Sequence, residues 1–456
     1  MNRITCVAIA LLSIPAINHA QTLSAGQLHS LAVCPDGTAQ SWGANTYGTL
    51  GQTPTIFSPE QVTGLTGVIS VAGGKTHSLF VKSDGTVWTC GRNLDGELGD
   101  GTNVQRNTVV QVNGLTGIIA ASGGGVHSLF LKNDGTVWAC GSDGWGQLGV
   151  ATNADQYTAV QVSGLTGIVA IATGEGHSLF LKNDGTVWAC GYNNGGQLGD
   201  GTTANRDLPV QITSLSGITA IAACNFQSLF VKNDGTVWGC GGNFDGSLGD
   251  GTVMPRTTPV QAIGLTGITD VATGEHHSLF LKNDGTVWAC GDNGYGALGD
   301  GTTTDHLTSV QVSGLTGIVE IAAGGNGHSL FLKSDGTGWA CGCNNSGQVG
   351  DGTFFVNRTT PVQIVGLCSS SAITETGNYR SLSVFPNPTN GIFQVALPEG
   401  TTEASIEITN AIGQIIHSGI ISGENNSVDL SRASCGLYFV RVTSGETVLF
   451  SRILKE

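Results

Sequence analysis

Residues 168–217 read IVAIATGEGHSLFLKNDGTVWACGYNNGGQLGDGTTANRDLPVQITSLSG. Four apolar or alternating runs stand out: Ile168 to Ala172, His177 to Lys182, Thr186 to Cys190 and Pro209 to Ile212. Runs this short, bounded by glycine-rich turns, read as strands rather than helices. Asp184-Gly185, between the second and third runs, suits the positive φ angles of a tight hairpin turn. The stretch predicts one small antiparallel sheet of four strands. Apolar residues fall on both of its faces, as expected of a sheet sandwiched between neighbours around an axis.

The same stretch recurs along the chain. His-Ser-Leu begins at His29, His77, His127, His177, His277 and His328, with Gln227-Ser228-Leu229 filling the gap, in steps of 48, 50, 50, 50, 50 and 51 residues. Trp42, Trp88, Trp138, Trp188, Trp238, Trp288 and Trp339 supply a second marker, one per unit. A fixed period of this size is the mark of a repeat architecture. Seven units of four strands predict an all-β fold, a seven-bladed β-propeller over residues 21–368. The seventh unit stops at Pro361-Val362-Gln363-Ile364, and Thr22 to Ala25 stand where its following strand would be. The N-terminal strand is therefore expected to close the ring against the last unit.

The 71 glycines and 11% charged residues fit many tight turns between apolar strands. Residues 1–20 carry basic Arg3, an apolar run from Ile4 to Ile17 and small Ala20, the pattern of a cleaved export signal. No later run reaches eighteen apolar residues, so no membrane-spanning segment is expected in the mature chain. Without Arg3 the chain holds 33 acidic against 17 basic side chains, a formal charge of −16. Such an excess repels phosphate backbones and argues against nucleic acid as a partner.

Tracing the strands assigns each turn to an end of the ring. The Gly-x-x-His turn and the loop after Trp-x-Cys-Gly share one end; the Asp-Gly and Gly-Leu-Thr-Gly turns share the other. The second end is nearly identical in every unit, whereas the first varies from unit to unit. Tyr47, Trp145, Tyr192, Phe226, Phe244 and Tyr295 fall on the variable end, with acidic companions Asp95, Asp143, Glu175, Asp245, Glu275 and Asp292. Loops on a rigid scaffold commonly carry recognition, and aromatic side chains are its usual anchors. These residues form the candidate ligand-binding surface; the competing reading is neutral variation in solvent-facing loops.

The unit GHSLFLKNDGTVWACG, followed by GQLGDGT and PVQV, resembles the repeat of the regulator of chromosome condensation family, across about residues 21 to 368. The resemblance implies the propeller. The family's eukaryotic founder is a nuclear guanine-nucleotide exchange factor with an inserted β-wedge. Unit lengths here differ by two or three residues, which leaves no room for the wedge, and the export signal points away from a cytosolic GTPase. Secreted propellers of this family that inhibit β-lactamases use the variable face, so the resemblance implies a protein partner. Carbohydrate is the competing ligand class. A hydrolase would need two carboxylates roughly 5 to 10 Å apart across a cleft, and no spacing singles out such a pair. The expectation is a non-enzymatic recognition module without cofactor or metal.

Six equivalent histidines invite a metal or catalytic reading. Packed sheets stand about 10 Å apart, so equivalent side chains in adjacent blades cannot share one ion. The serine after each histidine points to the other face of the strand, which argues against a nucleophile and base pair. Repeated hydrogen bonding between blades is the expectation, and Gln227 suits it. The aspartates of Asp100-Gly101, Asp200-Gly201, Asp250-Gly251, Asp300-Gly301 and Asp351-Gly352 read as turn formers, with calcium ligation as the alternative.

Cys90, Cys140, Cys190, Cys240, Cys290 and Cys341 share one slot and are too far apart to pair, so they read as small buried thiols. Cys34 replaces the repeat lysine and Cys368 the repeat threonine or serine, one on each side of the closure. A Cys34–Cys368 disulfide clasping the first unit to the last is expected; two free buried thiols are the alternative.

Residues 369–380 form a polar linker. From 381 to 456 seven short alternating runs predict a small Ig-like β-sandwich. Phe385-Pro386-Asn387-Pro388-Thr389-Asn390-Gly391, Asn410-Ala411-Ile412-Gly413, Gly436 to Val442 and terminal Lys455 resemble the type A sorting domain of the type IX secretion system. The resemblance implies that the secretion machinery recognises this segment, and that the protein ends extracellular or attached to the outer cell surface.

Overall fold

A computed structural model describes residues 22–52, 56–368, 383–385, 389–397, 403–410, 415–422, 426–434, 436–444 and 447–455. The export signal and linker expected from the sequence lie outside the described residues. The chain divides into two compact units, Met1–Cys368 and Ser369–Glu456.

The first unit is the expected propeller, seven four-stranded antiparallel sheets whose strands are consecutive in the chain. In the fourth blade the strands are Ile168–Thr173, His177–Lys182, Val187–Gly191 and Arg206–Gln211. Three match the apolar runs closely, but the outer strand begins at Arg206, three residues before Pro209. Its first residues, Arg206, Asp207 and exposed Leu208, do not bury an alternating face, while Arg206 pairs with Gly191 past an irregularity in the register.

The core is divided among seven interfaces between blades. Between the fourth and fifth blades, Leu179, Leu181, Val187, Leu198 and Ile212 meet Ile218, Phe230 and Cys240. Corresponding clusters fill the other six interfaces. A fully buried phenylalanine anchors six of the seven, each contributing about 2–3 kcal/mol of apolar burial.

The seam between the seventh and first blades is built differently and corrects the tryptophan marker. Trp42 lies opposite Ser30, the slot that Cys90 takes opposite Ser78, while Gln40 takes the slot of the other tryptophans. Ala32 stands where the other blades have phenylalanine, and the indole of Trp42 fills the space between Leu23, Ala322, Leu330 and Ile364. Its Nε1 donates to the Gln348 carbonyl at 2.9 Å, as the slot cysteines lean on carbonyls of the preceding blade. In the six other blades the tryptophan lies beneath a lysine ammonium 5.5 to 6.0 Å from the ring centre.

The N-terminal strand, Leu23–Ala25, hydrogen-bonds to His29–Val33 and is the inner strand of the first blade. It meets the last blade through packing and through Glu320, which accepts from the backbone N–H groups of Thr22 and Leu23 at 2.8 and 2.9 Å. Closure thus joins two complete sheets side by side. Cys34 and Cys368 are joined as a disulfide across this seam, with Cα atoms 5.1 Å apart.

The second unit has two sheets, one of Ser383–Phe385, Ile392–Ala396 and Ser427–Asp429, the other of Glu403–Asn410, Ile415–Ser422, Gly436–Ser444 and Thr447–Lys455. Phe393, Val395, Ile406, Ile408, Val440 and Ile453 form its core, the small sandwich expected from the alternation. Lys455 is buried, and its ammonium donates to the Ala433 carbonyl at 2.8 Å.

Candidate binding face

A ring of polar links sets the rigidity of the face. Nε2 of His29, His77, His127, His177, His277 and His328 reaches the serine hydroxyl of the next blade at 2.8 to 3.1 Å. Each serine also donates to a carbonyl of the preceding blade, as Ser178 does to Gln147 at 2.7 Å. A hydroxyl has one proton, so the serine accepts from the imidazole, and the proton sits on Nε2. Gln227 makes the seventh link through Nε2 to Ser278 at 3.3 Å. Burial holds these imidazoles neutral, lowering their pKa to about 3 for His77, His127, His177 and His328 and about 4 for His29 and His277.

Above the ring, the inner turns are laced by backbone bonds from blade to blade: Lys75 N–H to Gly124, Glu175 N–H to Asn225, Gly325 N–H to Gly26, at 3.0 to 3.1 Å. In five of the blades the outer loop is fixed by a fully buried amide, Asn93, Asn193, Asn243, Asn293 or Asn344; Asn193 accepts from the Leu198 N–H at 2.9 Å and donates toward Asp200 at 3.2 Å. Asp143 takes this place in the third blade. It is fully buried and accepts from Leu148 N–H, Thr152 Oγ1 and Asn153 N–H, so it supports the loop and is no surface companion of the aromatics. Burial raises its pKa. Asp100, Asp200, Asp250 and Asp351 each bond the threonine two residues on and pair with an arginine at 2.5 to 2.6 Å, which is turn chemistry.

Three of the aromatic residues come together. The ring centres of Trp145 and Tyr192 are 5.1 Å apart and those of Tyr192 and Phe226 5.6 Å, a continuous run across the third, fourth and fifth blades. Trp145 is 42% and Phe226 37% exposed. The indole lies over Gly176, where a Cβ would stand 2.5 Å from its Cε3, so the glycine makes the seat for the ring. Tyr47, Phe244 and Tyr295 are also exposed, Phe244 at 70%, but in other loops.

The acidic residues fall into four arrangements. Glu175 pairs with Lys75, two blades away, at 2.7 Å. Asp95 shares Arg92 with buried Glu97, both at 2.6 Å. Asp245 meets Nδ1 of His276 at 2.8 Å, with Glu275 3.9 Å from its Nε2. Asp292 accepts from the N–H of Gly294 at 3.0 Å and shapes its own loop. Among the described residues no three metal-ligating side chains gather into a site. The six slot cysteines are free and buried, and burial pushes their thiols up.

Sequence reasoning missed a second aromatic group. Phe57 stands 4.8 Å from Phe354, which is 3.9 Å from Phe355, at the rim of the seam. The signal was present as the extra residue between Asp351 and Arg358, compared with Asp200 and Arg206. Down the axis runs a cavity of about 1420 Å³ lined by the inner strands, with Lys75, Glu175 and Glu275 among the residues at its loop-face opening.

Comparison with known proteins agrees with this architecture. The RCC1-like domain matches residues 66–384, regulator of chromosome condensation (RCC1) repeats match 21–49 and 36–81, and the secretion system C-terminal sorting domain matches 383–456. Prp20p from Saccharomyces cerevisiae, described with its binding to Gsp1p and histones, is 22% identical with a TM-score of 0.64, covering 76% of this chain and 88% of its own. Human WBSCR16 is 22% identical with a TM-score of 0.65, covering 72% and 93%. Yeast RCC1 (Prp20) bound to Kap60 is 21% identical with a TM-score of 0.65, covering 81% and 92%. At these identities the likeness is one of fold. Among curated proteins no significant match is found.

Proposed function

Because the chain belongs to the RCC1-like family and ends in a secretion system C-terminal sorting domain, we propose that it is an exported, non-enzymatic recognition module whose variable loop face binds a protein. The sorting domain supports export through the type IX machinery and a final place outside the cell or on its surface. The observation that carries the binding role is the run of Trp145, Tyr192 and Phe226 across three blades, exposed at both ends. Large rings held on a rigid, hydrogen-bonded scaffold lose little entropy on binding and bury much apolar area. Among the similar structures, Prp20p is described with its binding to Gsp1p and histones, and yeast RCC1 (Prp20) is bound to Kap60.

A carbohydrate ligand is the second reading. Beside the run, the Tyr192 hydroxyl accepts from the Asn194 amide at 3.0 Å, which puts polar groups next to a ring in the way a sugar platform requires.

The test is capture from surface and secreted fractions with the purified protein, beside a Trp145→Ala/Tyr295→Ala variant and a glycan array. A protein is expected to be captured, and the variant to hold it at least about thirtyfold more weakly, the cost of about 2 kcal/mol for a central anchor. A ligand held equally by the variant overturns the face assignment. A glycan in place of a protein replaces the partner class.

A further inference from the structure

The two ends of the propeller differ in charge. The loops between third and outer strands, with the turns before the second strands, hold fourteen Asp and Glu side chains against Lys75 and Arg92. Arg106, Arg206, Arg256 and Arg358, which open outer strands, are each taken up by an aspartate. The loop end thus holds fourteen acidic groups against six Lys and Arg. At the opposite end the seven aspartates of the Asp-Gly turns face six lysines that close the second strands, a near balance.

The aromatic run lies within this acidic end. Glu175 adjoins both ends of the run: its successor Gly176 seats Trp145, and its N–H bonds the carbonyl of Asn225, the residue before Phe226. Asp207 is exposed and backs Gly146, the residue after Trp145. Glu275 and Glu175 line the mouth of the axial cavity together with Cys224 and Asn225, the two residues before Phe226. Lys75 holds Oε1 of Glu175 at 2.7 Å, so an incoming cation would share that carboxylate with it.

Resting on the loop-face reading above, we propose that the partner docks a guanidinium side chain on the Trp145–Tyr192–Phe226 run, stacked on a ring and paired with Glu175 or Glu275. Arginine matches this combination better than lysine, because its planar, weakly hydrated group stacks on aromatic faces while its fork bonds a carboxylate. The surplus of carboxylates around the run also steers a basic segment toward it.

Fluorescein-labelled tetra-arginine, tetra-lysine and tetra-glutamate peptides, titrated against the purified full chain by anisotropy, test the assignment. Tetra-arginine is expected to bind at least tenfold more tightly than tetra-lysine. Trp145→Ala and Glu175→Gln/Glu275→Gln should each weaken it about tenfold, while Asp134→Asn/Asp184→Asn at the opposite end leaves it unchanged. Equal binding of the arginine and lysine peptides, equal binding by wild type and Trp145→Ala, or equal loss in the opposite-end variant overturns the proposal. A partner captured by the wild type and lost by the Trp145→Ala/Tyr295→Ala variant, yet not displaced by excess tetra-arginine, overturns the guanidinium assignment and leaves the loop-face reading standing.

Discussion

A Cβ added to Gly174 would stand 2.1 Å from Cε1 of His177, and the same crowding is met at Gly26, Gly74, Gly124, Gly274 and Gly324. The imidazole and the glycine before it are therefore one unit. The fifth blade shows this by exception: where glutamine replaces histidine at Gln227, cysteine replaces glycine at Cys224. The Gln227 side chain reaches toward Thr273 and Ser247 in place of a ring lying under the turn. Gly174→Cys alone is expected to cost about 2–3 kcal/mol through overpacking. Paired with His177→Gln, part of that cost should return, giving a coupling of about 1–2 kcal/mol in a double-mutant cycle read by urea unfolding. Additive effects would show that ring and glycine are independent. The repeat marker made the histidines legible from sequence, and Gln227 pointed to hydrogen bonding. The partner of each imidazole was not legible, because it is a serine about fifty residues on, in the next blade. Asp143 was misassigned for a different reason: the fifty-residue step makes it equivalent to Asn193, but the burial of that slot and its bonds to Leu148 and Asn153 are not written in the sequence.

Between neighbouring second strands, the histidine–serine links make acid sensitivity a property of the interfaces. Each buried imidazole is neutral, with its pKa lowered to about 3 or 4 by burial, whereas in the unfolded chain it titrates near 6.5. The unfolded chain therefore binds more protons below pH 6.5. The stability that this provides is complete above that pH and is lost as the pH falls toward 4 and 3. Six such groups give an uptake of about six protons on unfolding near pH 5, a slope of about 8 kcal/mol per pH unit. Urea unfolding between pH 4.5 and 5.5 should show this slope, flattening as the pH rises through 6.5, and His177→Gln should reduce it by about one proton. An unchanged slope in that variant would mean the acid response arises elsewhere. At this scale the inner three strands of each blade could be read from their apolar pattern. The outer strand was shortened, because half-exposed Arg206 to Leu208 carry no periodic signal. The aromatic residues of the face were each visible in the sequence, but the contacts of Tyr192 with Trp145 and Phe226 depend on adjacent blades and were not.

For the whole molecule, the seam decides whether seven similar blades form a closed ring. It has a compensated core, with Ala32 and Trp42 in place of a phenylalanine and a cysteine, a carboxylate on the first strand, and the Cys34–Cys368 pair. The sequence located both cysteines by their departure from the repeat; the shift of Trp42, thirteen residues after His29 where Trp88 stands eleven after His77, was written there too, but its place in the seam core emerged only with the pairing of Ser30. Cys34→Ser/Cys368→Ser is expected to lower stability by about 3–5 kcal/mol, the upper range for a link between residues so distant in the chain. Peptide mapping without reductant should recover the two cysteines in one linked species, while the six slot cysteines resist alkylation until the protein unfolds. Recovery of Cys34 and Cys368 as free thiols would remove the clasp.

The clasp has a topological consequence. Residues 34 and 368, with a sequence separation of 334, enclose nearly the whole propeller in a single covalent circle, and the C-terminal unit begins at the next residue, Ser369. A protease that nicks one exposed turn inside the circle opens it but frees no fragment, since both halves stay tethered through sulfur. Release of a piece takes a second cut. Cleavage beyond Cys368 sheds the tail and leaves the circle whole, so the loss of the sorting segment and the integrity of the ring are separate events.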